Sequence, residues 1–421
     1  MMAVIFWATK VAHPGYVSVA LLTMYIVLGV APANVTFGLW TKPVVYLVVG
    51  GYLIASAVKN SGLGQRIAYQ YILRYVSGYT SIVVGAYVLG FLLSFLIPHP
   101  WPRSFLIMSV MIGIIKSSGM SKADGANIGL AVFASSAPVS MILLTGDSLL
   151  NTLAIGFSGQ DVSWLGWAKY MAVPGFLASV FTLILQLKLY KPRGQFTLDK
   201  EEVRQKLQEM GGLKGEEKRC LFWVTLAIIM WATDSLHGIN TAWVALMAVI
   251  GLSMPVIGGV LKPPNWNDVP LATLLFLTAA LAIGTVGGHT GMNSWLADVL
   301  LPSTVPSNVF MFAAIVTVVG VAVHMVLGSV LAVMGIVIPT IITFTSASGM
   351  NPLVPSLLVY TILAMHYVLP IHHMNLLVGL GADQGMYSDK EVIRLGLPLT
   401  IVVFVITVGV EMVWWRATGL L

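Results

Sequence analysis

The chain has 421 residues, of which 57% are apolar and only 9% are charged. Soluble domains carry about 25% charged residues, so this composition excludes soluble globular folds, disordered chains and nucleic-acid-binding modules. At ~20 residues per spanning helix, the sequence predicts an all-α polytopic membrane protein with about eleven transmembrane helices. The net charge of +6 mostly reflects basic cytoplasmic loops, and the single Cys220 excludes an internal disulfide.

Charge-free runs predict the spans in chain order. They lie at 16–30, 43–57, 81–97, 126–144, 171–187, 221–232, 242–256, 271–286, 308–325, 357–369 and 397–410. The strongly charged segment 191–219 separates a first half, 1–190, from a second half, 220–421. Its basic residues predict a cytoplasmic linker in a multi-pass protein of the cell membrane. Residues 199–210 are expected to form a short surface helix within this linker.

The two halves resemble each other at three places that keep their order. The matched pairs are 60–68 with 289–297, 151–156 with 375–379, and Pro174 with Pro398. The loop before Pro174 is acidic and should lie outside, whereas the loop before Pro398 contains Lys390 and Arg394 and should lie inside. This pattern indicates two inverted repeats, which are typical of secondary transporters with a substrate site near the midplane. The alternative is chance similarity between apolar helices.

A cluster of prolines interrupts the apolar region of the first half. Pro98, Pro100 and Pro102 stop a continuing helix, and the apolar stretch that follows is too short to cross the bilayer. The sequence therefore predicts a re-entrant hairpin near 98–120, followed by a broken helix near 146–156. Such irregular backbone is tolerated in a membrane only where protein or a wet cavity covers it.

The second half repeats this anatomy inside a run, 299–382, that contains no Asp, Glu, Lys or Arg. Its interruptions predict a hairpin near 326–348 and a broken helix near 370–381. Half-helix N-termini formed in this way carry partial positive charge and free N–H groups. The two hairpin tips should therefore bind an anion between them.

Polar residues inside these breaks form the candidate site. The predicted substrate-binding residues are His99, Pro100, Ser148, Asn151, Gly328, Ser329, His372, His373 and Asn375. The predicted site for a coupling cation or proton consists of Asp147, Asn151 and Asn375.

The chemistry of each residue type leaves a second interpretation open. An intramembrane carboxylate such as Asp147 is costly and usually functional, unless it caps the next helix. Asn151 and Asn375 can offer amide oxygens to a cation or amide hydrogens to a carboxylate. Imidazoles can donate to an anion, take up a proton or simply pack between helices. Arg103 can neutralise an anion or extend to the interface, and no ligand pair has a spacing that predicts a transition-metal site.

Several motifs resemble those of the divalent anion/sodium symporter family, whose members carry dicarboxylates, citrate or sulfate. The resembling segments are 62–68, 231–239, 291–297, Leu369-Pro370, Asn375 and 385–398. The resemblance covers nearly the whole chain from about Tyr16 onward. It implies a homodimeric elevator-type transporter, with a scaffold and a mobile domain that holds substrate and sodium at two hairpin tips.

The hairpin tips depart from the family pattern. Members usually carry Ser-Asn-Thr at each tip, whereas this chain has Pro98-His99-Pro100 at the first and Ser329-Val330-Leu331 at the second. The loop that usually reads Thr-Pro-Pro-Asn is represented here by His372-His373-Met374-Asn375. With fewer side-chain oxygens and more imidazoles, coupling to sodium, coupling to protons and exchange all stay open.

The sequence predicts a secondary active transporter of small organic anions, with di- or tricarboxylates as the first substrate class and sulfate or sulfonates as the alternative. An anion channel is the alternative from another class. An enzyme is not expected, because the chain has no Gly-x-Ser-x-Gly or His-Glu-x-x-His motif. The expected partners are the anion, the lipid bilayer and a second copy of the chain, and no cofactor is expected apart from sodium ions.

Overall fold

The computed structural model describes residues 2–9, 11–192, 198–369, 372, 373, 376, 379 and 386–421. Every regular element within these residues is helical, which confirms the all-α prediction. In the first half the α-helices are α1 Met2–Thr9, α2 Pro14–Val27, α3 Ala33–Thr36, α4 Pro43–Ser61, α5 Leu63–Tyr75, α6 Tyr79–Ser94, α7 Pro100–Ser117, α8 Lys122–Ile142, α9 Leu150–Ser158 and α10 Trp164–Leu189.

The linker and the second half continue this series. The α-helices are α11 Glu201–Met210, α12 Gly215–Ala232, α13 Asp234–His237, α14 Thr241–Ser253, α15 Leu271–Thr290, α16 Met292–Leu300, α17 Val309–Leu327, α18 Val330–Thr345, α19 Leu353–Met365, α20 Asp389–Phe404 and α21 Met412–Thr418. A π-helical segment, Val405–Glu411, joins α20 to α21.

Seven helical segments in the described part of the chain are long and apolar enough to cross a membrane. They are Pro43–Ser61, Lys122–Ile142, Trp164–Leu189, Pro263–Thr290, Val309–Leu327, Val330–Ser348 and Asp389–Thr418. Four shorter apolar helices accompany them, namely Pro14–Val27, Tyr79–Ser94, Thr241–Ser253 and Leu353–Met365. These helices support the predicted multi-pass membrane protein, while the number of about eleven spans stays a prediction.

The charged linker contains the expected short helix, α11, which packs against α5 and α7. The next helix, α12, begins at Gly215 and so starts before the predicted end of the linker at residue 219. Glu217 accepts from the Lys214 N–H at 2.8 Å, and Glu216 also lies in the first turn, where negative charge stabilises a helix. The charged residues at the end of the predicted linker therefore belong to the first turn of α12.

Two helices, one in each half, lie inside the protein. In α8 every residue from Asp124 to Ile142 is buried, and in α19 every residue is buried. The two helices pack against each other. α8 is also surrounded by α6, α7 and α10, and α19 is also surrounded by α9, α17 and α18. Both helices end in extended backbone, at Leu143 and at His366. The first break is therefore surrounded by protein, and α19 also ends inside the protein, whereas most of the predicted second break, 370–381, lies outside the described residues.

The first pair of matched sequence segments also has matching local structure. Gly62 separates α4 from α5 with φ 81° and ψ 0°, and Gly291 separates α15 from α16 with φ 80° and ψ 2°. Glycine adopts this left-handed conformation without steric cost. The shared Gly in the two sequences thus marks the same sharp turn between two helices.

Candidate functional site

The first hairpin tip lies between α6 and α7. His99 precedes the first residue of α7, Pro100, and its Nδ1 accepts a hydrogen bond from the Trp101 N–H at 3.2 Å. A neutral ring then carries its proton on Nε2, which lies 3.1 Å from the Tyr52 hydroxyl of α4. His99 and Pro100 are both buried. The predicted imidazole therefore caps α7 and contacts α4, with both ring nitrogens occupied.

The first break lies between α8 and α9 and contains Asp147. Its Oδ1 accepts from the Leu149 N–H at 3.0 Å and the Leu150 N–H at 3.1 Å. The capping interpretation of this carboxylate is thus present in the structure. Ser148 follows, and its hydroxyl is buried without a hydrogen-bond partner among the described residues.

Asn151, at the start of α9, closes the break by side-chain hydrogen bonds. Its Nδ2 lies 2.9 Å from the carbonyls of Ser140 and Leu143 and 3.1 Å from that of Leu144. An amide has only two N–H donors, so these carbonyls occupy all of them. The Oδ1 atom is buried and has no partner in the described part of the chain. The Oδ1 atom of Asn151 is therefore available to accept a bond from a ligand, whereas its N–H groups are not available to donate one.

Arg103 joins the first tip to the first break. Its Nη1 donates to the carbonyls of Ile97 at 3.1 Å and Gly146 at 3.0 Å, and its Nη2 donates to the Ser140 hydroxyl. The side chain is only 1% exposed, so it does not extend to the membrane interface. A backbone contact from the Ser148 N–H to the Pro98 carbonyl, 3.0 Å long, strengthens the same connection.

The predicted second hairpin tip is the turn between α17 and α18. Gly328 ends α17 with φ 65°, and its N–H donates to the His324 carbonyl at 2.8 Å. Ser329 then caps α18, where its hydroxyl accepts a long hydrogen bond of 3.5 Å from the Ala332 N–H. A residue in left-handed backbone followed by a capping serine reverses the chain within two residues.

Three histidines lie where the second tip meets the second break. Nδ1 of His324, on α17, is 3.2 Å from Nδ1 of His366, the residue that ends α19. The ring of His372 stacks on that of His324 with centroids 4.5 Å apart. His373 points elsewhere, and its Nε2 contacts the Leu363 carbonyl at 3.1 Å. The predicted Asn375 lies outside the described residues.

The structure brings the predicted residues together in two groups. One contains His99, Pro100, Asp147, Ser148 and Asn151, and the other contains Gly328, Ser329, His372 and His373. In the residues that the structure describes, no hydrogen bond joins the two groups directly. They belong to one packed body, because the Ser356 hydroxyl of α19 donates to the Ala154 carbonyl of α9 at 2.5 Å. The Phe133 ring of α8 also contacts the Tyr367 ring, with centroids 4.7 Å apart.

A cavity of about 420 Å³ opens beside the first break. It lies between α4, α9, α14 and α15, and its wall includes Leu144 and Thr152, which flank the predicted polar residues. Gln160 and Asn240 give it polar edges, and Lys42 and Asp161 contribute one positive and one negative charge. Its volume is in the range of small-molecule sites. The predicted site residues themselves do not line it.

Two polar contacts were missed by sequence reasoning. Tyr52 touches His99 from another helix, and the sequence carries no signal of this pairing. Glu411, in contrast, has a signal, because it is an isolated acid at the end of a predicted apolar span. It is fully buried in the π-helical segment, and its Oε1 accepts from the Thr361 hydroxyl at 2.5 Å.

Comparison with known proteins places this architecture in a family. The family model for the sodium:sulfate symporter transmembrane region matches residues 1–421. A protein named "Membrane protein" from Cupriavidus necator is 24% identical, over 89% of this chain and 74% of the relative. Dicarboxylate transporter 1 of Spinacia oleracea chloroplasts is 23% identical, over 92% and 70%. The putative malate transporter YflS of Bacillus subtilis is also 23% identical, over 71% and 65%.

Among solved structures, the fold resembles the YdaH transporter of Alcanivorax borkumensis. The two structures agree with a TM-score of 0.60 over 97% of this chain and 99% of that one, at 16% sequence identity. The likeness at this identity concerns the fold alone. Together with the match of the family model over the whole sequence, it establishes that this chain belongs to the sodium:sulfate symporter transmembrane family, as its motifs predicted.

Proposed function

We propose that this protein is a secondary active transporter of small organic anions, with di- or tricarboxylates as its substrates. The observation that carries the proposal is the pairing of a hairpin tip with a broken helix in each half of a buried helical core. Membership of a symporter family supports a transporter rather than an enzyme. Two of the relatives are named for dicarboxylates or malate, which supports this substrate class.

The two halves are proposed to be inverted repeats, with 191–219 as a cytoplasmic linker between them. The similar turns at Gly62 and Gly291 support a duplication, as do the two buried helices that each run from a hairpin into a break. In an elevator-type mechanism, the hairpins and broken helices would move as one body against the scaffold. We expect the transporter to work as a homodimer in the cell membrane.

The proposed anion site uses a helix N-terminus. The first turn of α18 begins at the second tip, where a helix N-terminus attracts negative charge. The first turns of α7 and α9 are already capped, by His99 and by Asp147. The cavity beside the first break offers an approach, and its wall carries one charge of each sign, Lys42 and Asp161. Thr152 marks the place where this cavity reaches the start of α9.

The proposed coupling site is the first break, at Asp147 and Asn151. All amide hydrogens of Asn151 point to backbone carbonyls, so its free Oδ1 is suited to a cation rather than to the substrate carboxylate. Asp147 supplies negative charge within the same short segment. Coupling to sodium, coupling to protons and anion exchange are the three modes to be separated, with Asn375 as the expected counterpart in the second half.

Uptake into proteoliposomes tests this function. We expect labelled succinate or citrate to accumulate when a sodium or pH gradient is imposed, and to exchange with unlabelled anion inside the vesicle when no gradient is present. Asn151→Asp should abolish gradient-driven accumulation. No uptake of succinate, citrate or sulfate under either gradient would reject an anion transporter.

Two alternatives have specific observations in their favour. Sulfate or a sulfonate is favoured by the name of the matching family, and preferential sulfate uptake in the same assay would select it. An anion channel would use the open cavity as a conduction path. It predicts electrical currents without exchange of labelled and unlabelled anion, because a channel does not alternate its access.

A further inference from the structure

His324, His366 and His372 form a compact group, called here the histidine cluster. All three residues are at most 1% exposed, and they come from the end of α17, the end of α19 and the loop that follows α19. Each ring offers one nitrogen such that the three atoms lie within 4.8 Å of one another. The cluster therefore gathers three imidazoles from three segments around a single point.

The hydrogen bonds of the cluster are incomplete. His324 and His366 face each other through their Nδ1 atoms, but Nε2 of His324 has no partner in the described part of the chain, nor does Nε2 of His372. A buried polar atom without a partner costs about 1–3 kcal/mol. Two such nitrogens in one cluster indicate that a ligand belongs there.

The surroundings restrict the chemistry of this ligand. Residues 299–382, which contain the whole cluster, include no Asp, Glu, Lys or Arg, so the segments that supply the three rings bring no carboxylate of their own for a hard cation such as sodium or magnesium. Neutral imidazole nitrogens instead suit zinc, copper, nickel and cobalt. The next residue in sequence after the cluster, His373, already contacts the Leu363 carbonyl.

We propose that the histidine cluster binds one divalent transition-metal ion, with zinc as the natural candidate. In a tetrahedral zinc site with Zn–N distances of about 2.0–2.1 Å, the ligand nitrogens stand about 3.3 Å apart. The nitrogens here lie within 4.8 Å of one another, so a shift of about 1.5 Å or less completes the geometry. Three protein ligands leave a fourth position open, as in zinc sites that bind an exchangeable group.

Binding has a structural consequence at the second break. His372 Nδ1 accepts from the Val368 N–H at 3.0 Å, which leaves the proton of the neutral ring on Nε2. Ligation through Nε2 moves this proton to Nδ1 and removes the contact with Val368. The ion therefore exchanges this contact for a link between α17, the end of α19 and His372.

Cobalt titration of the purified, tag-free protein in detergent tests the site, after EDTA treatment and without any anionic substrate. We expect one Co²⁺ per chain and the intense visible absorption of tetrahedral Co²⁺, which zinc then displaces. His366→Gln and His372→Gln should each weaken binding by about tenfold or more. His289→Gln, at an exposed histidine, is the matched control and should bind as the wild type does.

The outcomes separate cleanly. If the wild type binds no stoichiometric Co²⁺, or if binding survives both substitutions, the metal site is wrong. Loss of binding in His289→Gln as well would also overturn it. Size-exclusion profiles identify a variant that fails to fold. If His366→Gln does not fold, His372→Gln, which lies in a loop, is the deciding variant. Because no transport is measured, a negative result leaves the anion carrier untouched.

Discussion

The two halves connect a hairpin tip to a broken helix by different chemistry. In the first half, Arg103 and Asn151 donate to backbone carbonyls and to a serine hydroxyl from fixed, forked geometries. In the second half, the predicted tip and the end of α19 are joined by the rings of the histidine cluster. Both halves contain buried atoms without a partner among the described residues: Arg103 Nε, Ser148 Oγ and Asn151 Oδ1 in the first, and Nε2 of His324 and of His372 in the second. The first half thus leaves mainly oxygen atoms beside Asp147, whereas the second leaves imidazole nitrogens.

The difference continues at the two glycine turns. Arg66 follows Gly62 and forms a buried, bidentate ion pair with Glu217, at 2.6 and 3.0 Å. The matched residue after Gly291 is Trp295, which is 61% exposed. Arginine thus holds the first half at both places. The two similar glycine turns are thus flanked by different side-chain environments, a buried ion pair in the first half and an exposed indole in the second.

The largest effect is expected at the buried ion pair. Glu217→Ala leaves the Arg66 guanidinium buried without its carboxylate, which costs about 3–5 kcal/mol of folding free energy. Thermal unfolding in detergent measures it, with Glu209→Ala at an exposed position as the control. Equal melting temperatures for the two variants would show that the Arg66–Glu217 ion pair does not stabilise the turn at Gly62.

Arg103→Leu should have the next largest effect. It leaves the Ile97 and Gly146 carbonyls and the Ser140 hydroxyl without their donor, which costs about 3 kcal/mol or more. Uptake should be lost, and Arg103→Lys should restore it only in part because an ammonium cannot reproduce the fork. Arg74→Leu, at an exposed arginine, is the control. Full stability of Arg103→Leu would mean that the first tip and break do not need this connection.

Asn151→Asp sharpens the comparison within the first break. The substitution replaces two N–H donors by a carboxylate oxygen that faces backbone carbonyls. We expect the free energy of unfolding to fall by about 2 kcal/mol. The same exchange in Asn308→Asp should be nearly neutral, because Asn308 caps α17 as an acceptor and Asp caps equally well. Comparable losses at both sites would contradict the donor role of Asn151.

The smallest effect is expected at the second tip. Ser329→Ala removes the cap of α18, which is worth about 1 kcal/mol or less at its long contact distance. Ser303→Ala, at an exposed serine of a loop, serves as the control. A loss as large as that of Arg103→Leu would show that the second tip is held by its cap rather than by the histidine cluster.

The membrane class, the family and the short helix of the linker could be predicted from the sequence alone, as could the helix boundaries at His99–Pro100 and Gly328–Ser329 that we propose as hairpin tips. These features are local, because proline removes a backbone donor, glycine permits left-handed backbone, and apolar length decides whether a helix can cross a bilayer. The same reasoning placed Asp147 and Asn151 in a break. It could not state which atoms they offer.

The hydrogen-bond partners of these residues depend on how the helices pack. Arg103 meets Gly146, His99 meets Tyr52, and His324 meets His366 and His372 because helices far apart in sequence pack side by side. The spacing of these residues along the chain carries no sign of such contacts, which is why a metal site was not predicted from the histidines. Local backbone chemistry determines where a helix breaks, whereas the packing of distant helices determines which side chains meet at the break.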